Sequence, residues 1–323
     1  MKDRYGRVID YVRISLTDRC NLRCIYCMPE EGIELLKHED ILRYEEILKL
    51  CSAFIKIGIS TFKLTGGEPL VRKGVPEFIR ELKALPGTRE VTLTTNGVLL
   101  GKMANELVDS GIDRINVSLD TMDAEEFRRL TRFDKIDTVL DGIDKLIKLG
   151  YENLKINTVP IQPIKPEDII KLADLARNKP ISVRFIELMP IGEGTEYSGS
   201  SSELIMSILE DKYGLAKAYQ GKLGNGPANY VKFDKFKGYI GFIEALNSKF
   251  CGSCNRIRLS STGFLKLCLH YDYGVDISGF INKLSVDELA EKLAEIIYDK
   301  PKAHMLGHKT EHTENKRMNQ IGG

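Results

Sequence analysis

Short β-branched runs alternate with stretches of helical period along the first half of the chain. Val8 to Leu16 predicts a strand, and the apolar positions Ile47, Leu48, Cys51 and Phe54 predict an amphipathic helix over Tyr44–Ile57. The alternation continues with a strand at Thr61–Leu64, a helix at Pro76–Ala84, a strand at Glu90–Thr94 and a helix at Leu99–Asp109. Arg114–Leu119 then reads as a strand, 123–130 and 137–149 as helices, Leu154–Val159 as a strand, Pro166–Arg177 as a helix and Ile181–Ile186 as a strand. Strands alternating with helices predict βαβ units around a parallel sheet, wound in one direction by right-handed crossovers. Eight such units close a barrel. The six in this pattern predict an α/β fold of partial, laterally open (βα)6 TIM-type barrel form, with its chemistry at the carboxyl ends of the strands.

The texture changes after residue 190. Residues 191–202 are rich in Gly and Ser and read as a linker or mobile loop, after which Ser201 or Ser202 can cap a helix running to Lys212. Short strands follow at Asn229–Phe233, Tyr239–Phe242, Arg256–Ser260 and Phe264–Leu267, the last two joined as a hairpin through Ser261-Thr262-Gly263. They predict a small C-terminal α+β element covering the open side of the barrel. Ser285 can cap a final helix, Val286–Tyr298. The expected organisation is a barrel over 1–190, a C-terminal element over 191–300, and a flexible tail over 301–323 that ends in Gly322-Gly323.

Charge adds little direction: 47 basic and 46 acidic side chains leave a net of +1 in 323 residues, which gives no drive toward nucleic acid or an acidic membrane. No apolar run reaches the ~20 residues of a membrane span, and the charged start Met1-Lys2-Asp3-Arg4 is unlike a secretory signal, so a cytoplasmic protein is expected. The seven cysteines change the picture more. An odd number without a signal peptide is a poor disulfide framework, and six of them fall into two tight groups, the arrangement of soft-metal ligands. Cys51, the seventh, sits on the apolar face of its helix and reads as core.

Cys20, Cys24 and Cys27 form C-x3-C-x2-C just after the first strand. Three thiolates can hold three irons of a 4Fe–4S cluster and leave the fourth iron open to a ligand with an amine and a carboxylate. A zinc knuckle lacking its fourth ligand is the alternative, although zinc sites normally pair C-x2-C motifs, and a ferredoxin would need a fourth nearby cysteine. Thr65-Gly66-Gly67-Glu68-Pro69 closes the next strand, where two glycines permit close backbone approach and Glu68 can accept from an ammonium group. Thr94-Thr95-Asn96-Gly97 and Ser118-Leu119-Asp120 occupy the following two strand ends, and each also reads as an ordinary turn or cap. The cysteine spacing together with the Gly-Gly-Glu turn resembles the radical S-adenosylmethionine (SAM) superfamily.

Cys251, Cys254 and Cys268 give C-x2-C-x13-C around the predicted hairpin, with His270 two residues on. Spacing alone fits a Cys3His zinc site as well as a second iron–sulfur cluster. The companion trio tips the balance toward iron, with one iron again free, this time for substrate. His270 in the fourth position would instead close the site. Arg256 and Arg258 lie two apart in a strand and so share a face near this group, suited to a polyphosphate or, alternatively, simply solvated. Arg13, Lys63, Lys155 and Arg184 are further cations within otherwise apolar strands, expensive unless an anion neutralises them. Together they suggest a cationic lumen suited to a polyphosphate.

The run from Arg13 to Pro29, the TGGEP and TTNG turns, Arg184–Pro190, the second cysteine group with its Arg-x-Arg and the terminal Met318–Gly323 resemble the GTP 3′,8-cyclase family of molybdenum-cofactor biosynthesis over nearly the whole chain. The resemblance implies 4Fe–4S clusters on Cys20, Cys24, Cys27 and on Cys251, Cys254, Cys268, with SAM on the first and guanine on the second. It implies SAM contacts from Tyr26, Gly67, Ser118 and Met189, and GTP contacts from Arg13, Lys63, Thr94, Lys155, Arg184, Arg256 and Arg258. At Lys63 many relatives carry Arg, so the bidentate fork is lost there. Catalytic roles fall to Arg13 and to Gly322 and Gly323, the terminus entering the active site. The implied reaction is abstraction of the GTP C3′ hydrogen by a 5′-deoxyadenosyl radical and closure onto guanine C8. The implied partners are GTP, an external electron donor and a downstream cyclic pyranopterin synthase, with no nucleic acid and no membrane; a homodimer is compatible. A radical SAM peptide-maturing enzyme with an auxiliary cluster, or a non-catalytic zinc or electron-transfer protein, are the competing readings. His304, His308 and His312 have helical spacing suited to metal or to a solvated face, and Arg19 and Arg23 read as solvated.

Overall fold

A computed structural model of the chain describes residues 1–246, 250–304, 314 and 317–321. Its core is six strands in sequence order: β1 (Tyr11–Ser15), β2 (Thr61–Thr65), β3 (Glu90–Thr95), β4 (Arg114–Ser118), β5 (Leu154–Thr158) and β6 (Ser182–Ile186), each pairing parallel with the next. The crossovers are α1 (Tyr44–Lys56), α2 (Val75–Ala84), α3 (Leu100–Asp109), the pair α4 (Ala124–Thr131) and α5 (Ile136–Lys148), and α6 (Pro166–Asn178). Their apolar faces seal one side of the sheet: Ile47, Leu50, Cys51 and Phe54 of α1 are fully buried, so Cys51 is core as expected. Burial pushes its thiol far up. The first strand is shorter than its apolar run because Val8 turns outward, 55% exposed, and bridges Lys2.

The C-terminal part is α7 (Ser202–Tyr213), β7 (Lys217–Tyr219), β8 (Asn229–Lys232), β9 (Tyr239–Ile243), β10 (Arg256–Leu259), β11 (Phe264–Lys266), β12 (Val275–Asp276), α8 (Ser278–Ile281) and α9 (Val286–Tyr298). Ser201 caps α7, accepting from Leu204 N at 3.2 Å, and Ser285 caps α9 in a reciprocal capping box with Glu288. The predicted β10–β11 hairpin forms, in antiparallel pairing. The C-terminal element also extends the barrel sheet itself, which its strand patterns did not foretell: β9 pairs parallel with β6 and β10 pairs parallel with β1. The result is a single 12-stranded sheet ordered β12-β11-β10-β1-β2-β3-β4-β5-β6-β9-β8-β7, whose central eight strands are parallel. A strand's own pattern shows which face is buried, not which edge it will join, so the sequence hid this docking. The partial barrel stands, lengthened at both edges, and the β9–β10 connection carrying Cys251 and Cys254 runs between those edges.

The described part of the tail is held. Glu314 donates its amide to the His270 carbonyl at 2.8 Å, and its carboxylate forms a buried ion pair with Lys266. A short helix, α10 (Met318–Ile321), follows Arg317, which pairs with Glu193 at 3.0 Å, and Ile321 is buried against Ile191. Gly322, Gly323, His308 and His312 lie outside the described residues.

Candidate active site

One cavity of about 360 Å³ runs through the barrel, and both cysteine trios line it. So do Tyr26, Gly67, Ser118, Met189, Arg13, Lys63, Thr94, Lys155, Arg184, Arg256 and Arg258. The structure therefore gathers every sequence-predicted site residue within its described range.

The first trio occupies a loop after β1 that neighbouring strand ends hold in place. The Gly-Gly turn packs against that loop: Gly67 N donates to Thr17 O at 2.7 Å and Glu68 N to Arg19 O at 2.7 Å. A Cβ on Gly67 would stand 2.4 Å from Arg19 O, so only glycine permits the contact. The glycines thus admit the cysteine loop itself. Glu68 lines the cavity and also braces the site. Its buried carboxylate accepts from Thr95 Oγ1 (2.7 Å), Asn96 N (2.6 Å) and Leu70 N (3.0 Å), bracketing the two turns together. Burial pushes it up to about 7 against those hydrogen bonds. Asn96 donates to Asn21 Oδ1 at 2.7 Å and to Cys20 Sγ at 3.6 Å. Tyr26 donates to Asp120 Oδ2 at 2.6 Å, so the Ser118-Leu119-Asp120 turn anchors the aromatic residue of the motif. Arg23 is not solvated but folds back on Cys20 O at 2.8 Å, and Arg132 grips Arg23 O and Met28 O at 2.9 and 3.0 Å. Burial, then Cys27 and Asp120, push the Cys24 thiol well up.

The second trio lies among cations. Burial alone would push the Cys254 thiol up, but Lys300 and Arg256 outweigh it and bring it down to about 7. Arg256 stacks over Phe250 at 4.7 Å. His270 is buried, its ring nitrogens have no hydrogen-bond partner, and its ring lies 6.3 Å from that of His304. Among the described residues no three His, Cys, Asp or Glu side chains gather tightly enough to hold one metal ion. A zinc ion takes its sulfurs at about 2.3 Å, whereas cluster thiolates bind different irons and stand farther apart. Two thiolate trios, soft donors lining one cavity, fit iron–sulfur clusters.

Between the trios lies the cationic ring. Arg258, Arg13 and Lys63 stand in register on β10, β1 and β2. Like charges side by side across strands repel. Desolvation, then Arg13 and Arg184, push Lys63 well below its usual range, and burial does the same to Arg258. Lys155 falls to about 6, through burial and then Arg184 and Arg114. Its ammonium donates to Leu223 O and to Tyr230 Oη, and Arg184 donates to Asn116 Oδ1 at 2.5 Å. Arg114, paired with Glu90 at 2.6 Å, completes the wall. Sequence reasoning missed Asn96 as a bracket, and it missed Asn116, Arg114 and Lys300. Lys300 is a cation buried like Lys63, but it follows the last predicted helix instead of lying in a strand, so no apolar strand pattern marked it.

An open parallel barrel with a three-thiolate loop at the end of its first strand defines a class, and comparison bears it out: residues 14–176 match the radical SAM superfamily and 181–306 match the molybdenum cofactor synthesis C-terminal family. Streptococcus suis SuiB bound to S-adenosylmethionine shares the fold, with a TM-score of 0.64 and 15% identity over 91% of this chain and 66% of that one. The relatives are nearer in sequence. GTP 3′,8-cyclases of Clostridium perfringens (strain SM101 / Type A) and Thermodesulfovibrio yellowstonii are each 43% identical, and that of Petrotoga mobilis 41%, with 100% of both chains covered. The chain belongs to the GTP 3′,8-cyclase family of the radical SAM superfamily.

Proposed function

We propose that this protein is a radical SAM GTP 3′,8-cyclase, a lyase that converts GTP to (8S)-3′,8-cyclo-7,8-dihydroguanosine 5′-triphosphate in the first step of molybdenum cofactor biosynthesis. The observation that carries the reading is one cavity walled by two cysteine trios with a cationic ring between them. Family membership supports the two 4Fe–4S clusters and SAM as its cofactors. When bound, these groups supply one-electron reduction and the radical that removes the C3′ hydrogen.

The chain's own residues do the rest. Cys20, Cys24 and Cys27 hold one cluster and Cys251, Cys254 and Cys268 the other. Tyr26, Gly67, Ser118 and Met189 seat SAM, with Tyr26 held by Asp120. Arg13, Lys63, Lys155, Arg184, Arg256 and Arg258 neutralise the triphosphate, which relieves the repulsion among them. Thr94 contributes a hydroxyl contact to GTP. Orienting C3′ toward the first trio while the second anchors the base supplies proximity, and the barrel wall excludes water. A catalytic role for Gly322 and Gly323, which lie outside the described residues, belongs to the same reading.

We assign 1–190 to the SAM barrel, 191–300 to the auxiliary-cluster and substrate element, and 301–323 to the tail. The reading carries with it an external electron donor, a cytoplasmic setting, a homodimer, and a product passed to cyclic pyranopterin synthase. Among the described residues no helix is long and apolar enough to cross a membrane. The peptide-maturing alternative shares the fold, but a neutral peptide has no use for the cationic ring. Anaerobic reconstitution tests the reading: about eight irons per chain and consumption of GTP with SAM are expected. Zinc in place of iron, or GTP left intact, would refute it.

A further inference from the structure

Beside the second trio stands a buried cation outside the set assigned above to GTP. Lys300 lies just past α9, is 2% exposed, and directs its ammonium to the carbonyl of Leu267, the residue before Cys268. It lines the same cavity as Cys254 and Cys268. Desolvation lowers the Lys300 ammonium, and those two thiols are the groups that counter the shift.

A single guanidinium from the opposite end of the chain fixes this position. Arg7 donates from Nη1 to Cys251 O and Lys302 O, both at 3.0 Å, and from Nη2 to Lys300 O and Pro301 O at 3.2 and 2.7 Å. Its Nε donates to Asp3 Oδ2 at 2.6 Å, and both side chains are buried. Chain ends ordinarily fray. Here the first turn of the chain ties the Cys251 loop and the Lys300 segment to one planar fork, a geometry lysine cannot reproduce.

We infer that Lys300 is the fixed positive charge of the second centre, and that Arg7, braced by Asp3, is the positioning residue that holds it there. The inference rests on the reading that Cys251, Cys254 and Cys268 carry an iron–sulfur cluster. Reduction of such a cluster adds a negative charge, so an adjacent buried cation favours the reduced form and raises the potential. Arg7 also holds the Cys251 carbonyl, but with its own charge paired to Asp3 it supplies charge to the centre through the placement of Lys300.

The test is a redox titration followed by electron paramagnetic resonance in a Cys20→Ser, Cys24→Ser, Cys27→Ser background, where only the second centre contributes. Lys300→Gln keeps a donor for Leu267 O and removes the charge, whereas Lys300→Arg keeps the charge. Lys300→Gln should shift the reduction equilibrium about tenfold toward the oxidised form, about 59 mV lower for a one-electron couple. Lys300→Arg should stay within about threefold of the parent. Arg7→Lys should shift the same way as Lys300→Gln, and the pair together no further than Lys300→Gln alone. Loss of iron from Lys300→Gln but not from Lys300→Arg would carry the same meaning. An unshifted Lys300→Gln centre, or equal iron loss from both variants, would overturn the inference. No iron in the parent background would instead sink the cluster assignment beneath it.

Discussion

The two cysteine trios solve one problem in opposite ways. The first lies within eight residues of chain, Cys20 to Cys27, and is braced by adjacent strand ends through Glu68, Asn96 and Asp120. Its nearest charged neighbours include carboxylates, and the Cys24 thiol is pushed well up, by burial first and then by Cys27 and Asp120. The second trio is assembled from the β9–β10 connection and the end of β11, and Arg7 and Lys300 hold the backbone at Cys251 and beside Cys268. Its surroundings are cationic, and the Cys254 thiol is drawn down to about 7. A local centre beside carboxylates suits a bound sulfonium with its ammonium group; a centre of long-range parts beside cations suits a nucleotide.

Substitutions that separate the two regions sharpen this contrast. The largest effect is expected from Cys24→Ser against Cys254→Ser. Each should lose about half the iron and reduce cyclisation by at least ~10³-fold, but only Cys24→Ser should abolish SAM cleavage, measured as 5′-deoxyadenosine. Equal SAM cleavage in both would erase the division. Next comes Arg256→Ala with Arg258→Ala. Losing two charge-assisted contacts at ~1.5–3 kcal/mol each should weaken GTP binding by ~10²-fold or more, with SAM affinity unchanged in the same calorimetric experiment. Asp120→Asn should have the reverse selectivity and a smaller size. Freeing Tyr26 should weaken SAM binding by ~5-fold and leave GTP binding alone. The last concerns Glu68, and stability instead of binding. Its folded value is raised from 4.5 to about 7, so its contribution to stability is fully present below about pH 4.5 and is lost as pH rises through about 7. Melting of the metal-free protein should register a loss on the order of 3 kcal/mol across that window, flattened in Glu68→Gln. A parent whose melting point does not fall over that range would contradict the assignment.

Legibility in the sequence follows the same divide. The alternation of β1 through β6 with their helices is local periodicity, and nearly every element fell within a residue or two of its expected place. The first trio and its turns were legible because each lies in contiguous residues after a recognisable strand. The parallel docking of β9 and β10 was not, since edge pairing depends on distant partners and leaves no mark on a strand's own pattern. The reach of Arg7 to Lys300, across nearly the whole chain, was hidden for that reason. The bracing role of Glu68 was not legible, because a buried carboxylate beside glycines looks the same in sequence whether or not it also ties a neighbouring turn.

The central claim is that both trios act on one nucleotide held between them. Anaerobic turnover with GTP deuterated at C3′ tests it most directly. The account predicts deuterium in the 5′-deoxyadenosine released with the cyclised product. Unlabelled 5′-deoxyadenosine, with deuterium retained at C3′, would contradict it.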